Sequence, residues 1–335
     1  MTARTALHLL RCATLPRVWN LLRIAVSFQL SVLLRRSIVW GKPYTLTIEP
    51  TNRCNLSCPE CPSGNGTMVR PLGMLSRDRF ADIVRQTSNE VLYLQLFFQG
   101  EPFINAGLVD MIREARRHRM YVSISTNAHY LRDEVIAALL DSGLQRLIIS
   151  IDGLTQDVYE EYRVGGSLPR VLDALHRLHM ARRAHGSRME VVLQMLVTRQ
   201  TEEHIPALRR LAREHDCEVS LKTIQVYTAE GAERFLPLDA RYRRYDIVDG
   251  ELRPRSALRN RCVRLWERSV ITWDGVVVPC CFDKNAEYPL GSLDEATFED
   301  IWQSPTYHDF RDRILRDRRS VPMCTNCTEG LRIYR

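Results

Sequence analysis

The stretch YTLTIEPTNRCNLSCPEC, residues 44–61, joins an apolar run typical of a buried strand to three closely spaced cysteines. Cys54, Cys58 and Cys61 are separated by three and then two residues, a spacing typical of metal ligation. A structural zinc site needs four ligands, and an open catalytic zinc site usually includes histidine or carboxylate ligands, whereas no histidine lies near this trio in the sequence. An iron–sulfur cubane held by three thiolates keeps one iron open to a further ligand. The stretch therefore favours an iron–sulfur cluster with an open position.

Apolar runs alternate with helical patterns from residue 44 onward. The predicted strands are 44–50, 91–98, 120–126, 146–152, 190–197 and 218–224, and the predicted helices are 77–86, 108–117, 133–141, 171–184 and 204–215. Six strands joined by crossover helices indicate a parallel sheet with buried faces. Six strands are too few for a closed eight-stranded barrel, and no glycine-rich dinucleotide fingerprint follows the first strand. The predicted fold class is therefore α/β, a partial (β/α)6 TIM-like barrel.

The sequence changes character after residue 228. Residues 229–255 are polar and irregular, as expected for a linker or extended arm. A hairpin is predicted around Asp274 and Gly275, followed by helices at 295–303 and 306–317. The predicted domains are an N-terminal helical segment (1–41), the partial barrel (42–228), the linker (229–255) and a small C-terminal domain (256–335).

The basic residues are concentrated in the N-terminal segment. Residues 1–40 contain six arginines and no acidic residue, and the rest of the chain has 41 basic against 40 acidic residues. A nucleic-acid-binding protein would carry its basic face on the folded domain. The charge distribution therefore argues against a nucleic-acid partner.

The N-terminal segment also has a helical pattern. Asn20, Arg23, Ser27, Ser31 and Arg35 form one polar stripe, and apolar side chains cover most of the remaining circumference. Three interpretations stay open: a helix packed on its own protein, an interfacial helix attracted to anionic lipid, and a membrane span or targeting peptide. The apolar run is short for a span and has no signal-peptide cleavage site.

The cysteine usage indicates the compartment. The ten cysteines include the clusters CxxxCxxC, CC and CxxC, which favour metal ligation in a reducing cytoplasm. If the N-terminal helix binds lipid, the expected location is the inner face of the membrane.

Polar motifs follow the predicted strands at their carboxyl ends. After the cysteine trio come FQGEP (98–102), STNAH (125–129) and SIDG (150–153), each at the end of the next strand. The working residues of parallel α/β barrels lie in these loops. Their repetition at four successive strand ends predicts one functional site at that edge of the sheet.

This set of motifs resembles the radical S-adenosylmethionine superfamily over residues 44–224. The resemblance implies that Cys54, Cys58 and Cys61 hold a [4Fe–4S] cluster whose open iron binds S-adenosylmethionine. It also implies that a reductant such as flavodoxin or ferredoxin supplies an electron, and that the resulting 5′-deoxyadenosyl radical abstracts hydrogen from a small-molecule or glycan substrate. The chain is then expected to be an enzyme of the oxidoreductase or epimerase type.

The resemblance also assigns residues around the cosubstrate. Gly100 and Glu101 match the glycine-glutamate motif that binds the methionine amino group, and Gly lets the backbone approach a ligand closely. The expected ribose or carboxylate contacts are Ser125, Asn127, Ser150, Asp152 and Gln194. Glu60 departs from the family, which commonly has an aromatic residue there, near the adenine.

A second group of cysteines lies in the tail. Cys262, Cys280, Cys324 and Cys327 could hold zinc or a fully ligated iron–sulfur cluster, and composition does not choose between them. The tail resembles the SPASM/Twitch extensions of radical S-adenosylmethionine enzymes, which implies one auxiliary [4Fe–4S] cluster with four cysteine ligands. Cys281 is left beside Cys280. It is either a small buried residue or alternative ligand, or a catalytic thiol that donates a hydrogen atom to a substrate radical.

The substrate class is inferred from the tail. Short Twitch enzymes oxidise or epimerise alcohol carbons, whereas related SPASM enzymes modify peptides, often with a separate leader-recognition domain. VITWDGVVVPCCFDK and CTNCTEG are similar to bacterial SPASM proteins associated with surface-polysaccharide biosynthesis. The expected substrate is a carbohydrate, lipid-linked and presented at the membrane. The alternatives are a peptide- or protein-modifying enzyme and a non-catalytic iron–sulfur scaffold or electron carrier.

Overall fold

A computed structural model describes residues 3–328. Within them the strands are β1 Thr45–Ile48, β2 Tyr93–Gln95, β3 Tyr121–Thr126, β4 Arg146–Ser150, β5 Glu190–Val197, β6 Glu218–Thr223, β7 Tyr245–Val248, β8 Glu251–Pro254, β9 Arg268–Ile271, β10 Val276–Val278 and β11 Gly291–Ser292. All six strands expected between residues 44 and 224 are confirmed as β1 to β6. The second is shorter than predicted.

Helices follow most of these strands. They are α1 Ala3–Cys12, α2 Leu15–Leu34, α3 Pro62–Asn65, α4 Arg77–Thr87, α5 Leu108–Arg117, α6 Asp133–Asp141, α7 Gln156–Tyr162, α8 Leu168–His185, α9 Ile205–Glu214, α10 Ala229–Phe235, α11 Arg264–Glu267, α12 Phe298–Trp302, α13 Pro305–Asp317 and α14 Pro322–Thr325. The five helices predicted between strands are confirmed, α5 and α6 with the predicted bounds. Serine side chains fix two of the starts: Ser76 accepts a hydrogen bond from the backbone of Arg79, and Ser167 accepts one from Arg170.

The described residues form two compact units. The first contains the chain up to residue 53, residues 69–123 and residues 258–327. The second contains residues 54–68 and 124–257. The cysteine trio therefore belongs to the second unit, although it directly follows the strand segment of the first.

The first unit contains a sheet in the order β11-β10-β9-β1-β2, and β2 pairs in parallel with residues 121–123 of β3. β1 pairs in parallel with β2 on one side and with β9 on the other, and β9 pairs antiparallel with β10. This confirms the predicted hairpin around Asp274 and Gly275. Every residue of β1 is buried, as expected for a central parallel strand. The hairpin of the tail thus extends the sheet that contains the first strand.

The second unit contains β4, β5 and β6 in parallel order. β4 and β5 are buried along most of their length, since the covering helices α6, α8 and α9 each present buried apolar side chains. Such near-continuous burial is typical of parallel strands covered on both faces. Ser150 and Gln194 are paired across β4 and β5 near the carboxyl ends of the two strands.

Residues 229–255 differ from the expected irregular linker. The expectation of irregular structure is wrong here, because this stretch contains helix α10 and the antiparallel pair β7 and β8. Thr228 caps α10 by accepting a hydrogen bond from Gly231, and Phe235 is buried. Gly250 takes the positive φ of +80° that the tight turn between β7 and β8 requires. Local capping and turn residues therefore give residues 229–255 regular secondary structure although their composition is polar.

Helix α2 presents three residues of its polar stripe to the protein. Asn20, Ser27 and Ser31 are buried, whereas Arg23 and Arg35 of the stripe are exposed, as are the apolar Trp19 and Leu22. α2 is also the one described helix that is long and apolar enough to cross a membrane by length and composition, a test that core helices and signal sequences pass as well. At the other end, residues 329–335 of the predicted C-terminal domain lie outside the described residues.

Candidate functional site

The cysteine trio lies in a tight turn that is continued by a short helix. The backbone N–H of Cys61 donates to the carbonyl of Cys58 at 3.2 Å, and those of Gly64 and Asn65 donate to the carbonyl of Cys61. A Cβ at Gly64 would lie 2.5 Å from the backbone nitrogen of Cys58. Only a glycine therefore lets α3 pack this closely on the turn. The turn and α3 together fix the backbone conformation at Cys58 and Cys61.

The surroundings of the trio are apolar. Cys58 is buried in a cluster with Leu56, Tyr162 and residues that follow β6, and Cys54 and Cys61 pack against the same cluster. None of the ten cysteines, all of which lie in the described part of the chain, forms a disulfide. Three thiols in an apolar cluster are a donor set suited to an iron–sulfur cluster, which is held by thiolates. The residues present therefore fit the cluster that the sequence predicts.

One arginine is aimed at the trio. Arg163 Nη1 lies 3.9 Å from Cys58 Sγ, and its Nε donates to Asp152 Oδ2 at 2.6 Å. Burial raises the pKa of the Cys58 thiol, and Arg163 only partly offsets this. Burial alone would lower the pKa of Arg163, but Asp152 and then Cys58 hold it well above its usual value. A permanent positive charge therefore stands beside the trio.

Asp152 is already engaged within the second unit. Besides its ion pair with Arg163, its Oδ1 accepts a hydrogen bond from the backbone of Leu196 at 2.6 Å. Its side chain is 1% exposed. Sequence reasoning gave Asp152 a cosubstrate role and did not identify Arg163. The ion pair joins residues eleven positions apart in a helix–loop segment, and no local pattern marks it.

The predicted glycine-glutamate turn lies against the backbone that leads into Cys54. Gly100 has a φ of +75°, and a Cβ there would lie 2.6 Å from the carbonyl oxygens of Thr51 and Arg53. The backbone N–H of Glu101 donates to that same Arg53 carbonyl at 2.8 Å. Glu101 is buried, and its Oε1 accepts a hydrogen bond from the backbone of Phe103. The turn thus fixes the segment immediately before the first cysteine.

The other predicted cosubstrate residues lie in the second unit. Asn127 is buried and donates from Nδ2 to Asn55 Oδ1 at 2.9 Å, which ties the STNAH turn to the cysteine loop. Ser150 is buried at the end of β4, whereas Ser125, one residue before the end of β3, and Gln194, three residues before the end of β5, are half-buried. Burial lowers the pKa of the neighbouring His129, and its Nε2 accepts from the backbone of Ser167. Neutral His129 therefore serves as a structural link.

Glu60 stands at the position where an aromatic residue was expected. Its carboxylate lies beside Gly231 in α10, so a Cβ added at Gly231 would require the Glu60 side chain to move. Glu60 therefore contacts the very stretch that the sequence suggested was a linker.

The tail cysteines surround a buried arginine in the first unit. Arg318 Nη2 donates to Cys327 Sγ at 3.3 Å, and the side chain is 2% exposed. Burial would lower the pKa of Arg318, but Cys262, Cys327 and Cys324 raise it above its usual value. Burial raises the pKa of Cys324 to about 11, with Arg318 opposing the shift. Three of the four predicted ligands, Cys262, Cys324 and Cys327, are therefore close enough to Arg318 to interact with its charge.

Cys280 completes this group. Burial raises its pKa strongly, and the charges of Cys281, Cys262 and Cys327 add to the effect. Cys281 itself is exposed. Across residues 3–328 no three His, Cys, Asp or Glu side chains are close enough to define a metal site by distance. The assignment of individual ligands therefore stays a prediction.

A buried ion pair connects the first strand with the hairpin loop of the tail. Both terminal nitrogens of the Arg70 guanidinium donate to the carboxylate of Glu49, at 2.8 Å each, and Arg70 Nε donates to the carbonyl of Lys284. Glu49 also accepts from the backbone of Trp273. Glu49 directly follows β1, so the pair fixes the end of that strand to the segment after Cys280 and Cys281. Sequence reasoning missed this pair, because its members are distant along the chain.

Two family models match the chain. Residues 48–212 match the radical SAM superfamily, and residues 262–328 match an iron–sulfur cluster-binding domain, SPASM. The tungsten-containing aldehyde ferredoxin oxidoreductase cofactor-modifying protein of Pyrococcus furiosus is 25% identical over 317 residues, which cover 84% of this chain and 86% of that protein. Mycofactocin maturase MftC of Mycolicibacterium smegmatis is 25% identical over 307 residues, which cover 85% of this chain and 75% of MftC.

Solved structures show the same fold. SuiB of Streptococcus suis, solved with S-adenosylmethionine, matches with a TM-score of 0.66 at 18% identity and covers 88% of this chain and 74% of SuiB. SuiB has also been solved with its precursor peptide SuiA. These findings confirm the predicted partial barrel with a C-terminal SPASM-type domain. They also confirm the predicted cofactors: an iron–sulfur cluster, an auxiliary cluster and S-adenosylmethionine.

Proposed function

Because the chain is a member of the radical SAM superfamily and ends in a SPASM-type iron–sulfur domain, we propose that it modifies a side chain of a peptide or protein. One observation carries this proposal: the similarity to the maturase MftC extends over 85% of this chain, and thus through both domains. The precursor peptide bound to SuiB supports the same substrate class. The carbohydrate expected from the sequence stays a prediction, without support from these relatives.

We assign the open cluster to Cys54, Cys58 and Cys61. When bound, the cluster and S-adenosylmethionine supply a radical that removes hydrogen from the substrate. The apolar cluster around the trio excludes water, and Arg163 offsets the negative charge of the thiolates. Asp152 orients Arg163 and is a positioning residue in this proposal. A flavodoxin or ferredoxin in the cytoplasm is the proposed electron donor.

We assign the cosubstrate to the residues that the sequence predicts for it. Gly100 allows the close approach to residues 51–53, and Glu101 provides a buried carboxylate for the methionine amino group. Asn127 holds the loop through Asn55 and is the second proposed contact. Ser125, Ser150 and Gln194 are the further proposed contacts.

We assign the auxiliary cluster to Cys262, Cys280, Cys324 and Cys327. Four thiolates leave no open position, which suits electron transfer or structural support rather than substrate activation. The exposed Cys281 remains the candidate hydrogen-atom donor. A Cys281→Ala protein that keeps both clusters and full turnover would eliminate that role.

Arg318 is expected to tune the auxiliary cluster. Its buried positive charge favours the more negative, reduced form, so the Arg318→Gln variant should lower the reduction potential by roughly tens of millivolts. A redox titration followed by electron paramagnetic resonance on the reconstituted protein measures this shift. Arg319→Gln is the matched control, since Arg319 is the exposed neighbour. An unchanged potential in Arg318→Gln, or an equal shift in the control, would contradict the assignment.

The substrate class can be tested in the cells that make the protein. Peptide and glycan fractions are compared by mass spectrometry between a wild-type strain and a strain carrying Cys58→Ala. We expect at least one peptide whose mass or fragmentation pattern changes, with identical glycan fractions. A changed glycan and an unchanged peptide fraction would instead restore the carbohydrate interpretation.

A further inference from the structure

Helix α2 exposes a continuous apolar face. On α2, the exposed side chains Leu15, Val18, Trp19, Leu22, Val26 and Leu33 recur at steps of one, three, four and seven residues and therefore share one helix face. Trp19 is 61% exposed, Leu22 54% and Leu33 76%. Leu7 and Leu10 of α1 are exposed as well. A contiguous apolar surface of this kind marks an interaction site.

The opposite face of α2 is fixed to the protein by polar contacts. The buried guanidinium of Arg17 donates to four backbone carbonyls, those of Cys12, Ser88, His118 and Arg119, at 2.6 to 2.8 Å. Ser88 and His118 cap the ends of α4 and α5, where helix dipoles favour a positive charge.

Two further side chains hold the same face. Asn20 exchanges hydrogen bonds with the backbone of Lys42, and the Ser31 hydroxyl donates to Ile38. A helix that spanned a bilayer would have to break these contacts. The fixed polar face therefore sets which side of α2 points outward, and it leaves the apolar side free to lie in an interface.

The N-terminal segment itself carries charge of one sign. Arg11, Arg23, Arg35 and Arg36 are exposed, and residues 1–40 contain no acidic residue. Asp312 of α13 is an acidic residue near this end of α2, and it accepts a hydrogen bond from the backbone of Ser37. Arg23 lies at the edge of the apolar face, and Arg35 and Arg36 directly follow the end of α2. Basic residues beside an apolar helix face are typical of helices that lie in the plane of an anionic membrane surface.

We propose that α1 and α2 dock the enzyme on the surface of an anionic phospholipid bilayer. Trp19, Leu22 and neighbouring apolar side chains enter the headgroup–acyl boundary, while the arginines contact lipid phosphates. The helices do not cross the membrane, because their polar face stays on the protein. This proposal is independent of the substrate class.

Vesicle flotation with the full-length holoenzyme tests the proposal. Wild type should float with vesicles of phosphatidylcholine containing phosphatidylglycerol, and bind those of phosphatidylcholine alone at least about tenfold more weakly. The combined variant Trp19→Gln, Leu22→Gln, Val26→Gln should bind the anionic vesicles at least about tenfold more weakly than wild type. The combined variant Arg23→Gln, Arg35→Gln, Arg36→Gln should also bind the anionic vesicles at least about tenfold more weakly than wild type. Its remaining binding should no longer depend on the salt concentration.

A matched control separates this face from other exposed apolar residues. Met180→Gln combined with Ile247→Gln removes two exposed side chains elsewhere and should leave flotation unchanged. All variants should retain S-adenosylmethionine cleavage in solution, which shows that they are folded. A wild type that stays unbound on anionic vesicles would overturn the proposal. An apolar-face variant that floats like wild type would also overturn it. The same holds for an apolar-face variant whose sole effect is to convert a dimer to a monomer.

Discussion

Replacing Cys58 with alanine is expected to abolish reductive cleavage of S-adenosylmethionine, by about a thousandfold or more. Cys58 is the buried member of the trio, it lies in the apolar cluster, and Arg163 is aimed at its sulfur. Two cubanes predict roughly eight iron atoms per chain, so loss of one should leave roughly four. Anaerobic reduction followed by quantification of 5′-deoxyadenosine and of iron measures both effects.

Cys217→Ala provides the matched control for this experiment. Cys217 is a half-buried thiol outside both cysteine groups, and burial raises its pKa to about 11. Its removal should leave the iron content and the cleavage rate unchanged. A wild type that forms no 5′-deoxyadenosine with any candidate substrate would favour the non-catalytic scaffold. A Cys58→Ala protein with full iron and full cleavage would refute the ligand assignment.

Replacing Gly100 with alanine is expected to displace the loop that carries the cysteine trio. The new Cβ would lie 2.6 Å from two backbone carbonyl oxygens, and the φ of +75° is itself unfavourable for alanine. Backbone atoms cannot move aside as a flexible side chain can, so residues 51–53 must shift. We expect a loss of unfolding free energy of about 2–5 kcal/mol. A displacement of this kind next to Cys54 should also slow cleavage by about a hundredfold.

Gly250→Ala is the control that separates the effect of the steric contact at Gly100 from the effect of a positive φ. Gly250 has a similar φ of +80°, and a Cβ there meets no atom within 4 Å. It should lose about 1–2 kcal/mol and keep the full cleavage rate. Denaturant unfolding and 5′-deoxyadenosine formation are measured on both proteins. Equal behaviour of the two variants would show that the close approach at Gly100 has no special role.

Much of the fold could be predicted because its signals are local. The apolar runs of β1, β3, β4 and β5 are direct consequences of burial on both faces of a parallel sheet, and the helices between the strands are periodic. The cysteine spacing and the Gly100–Glu101 motif are also local, so both were visible in the sequence, and their cofactor roles stay predictions. The bounds of α5 and α6 agreed with prediction because their apolar periodicity stops where the helices stop.

The remaining features depend on contacts between distant residues. The pairs Glu49–Arg70 and Asp152–Arg163, and the position of Arg318 among the tail thiols, leave no pattern in the sequence. The regular structure of residues 229–255 was missed because short caps and turns form it under a polar composition.

Helix α2 shows the same limit. Its polar stripe was visible in the sequence, but which face points inward depended on carbonyl groups at the ends of two other helices.

Hydrogen transfer from a labelled substrate tests the central claim, that a peptide is the substrate, most directly. Peptide and oligosaccharide fractions are prepared from the protein's own source cells grown in deuterated medium, after disruption of its gene. Each fraction is incubated with reduced enzyme and unlabelled S-adenosylmethionine, and 5′-deoxyadenosine is analysed by mass spectrometry. The account predicts deuterium in 5′-deoxyadenosine from the peptide fraction, lost when that fraction is first digested with protease. Deuterium from the oligosaccharide fraction alone would contradict it.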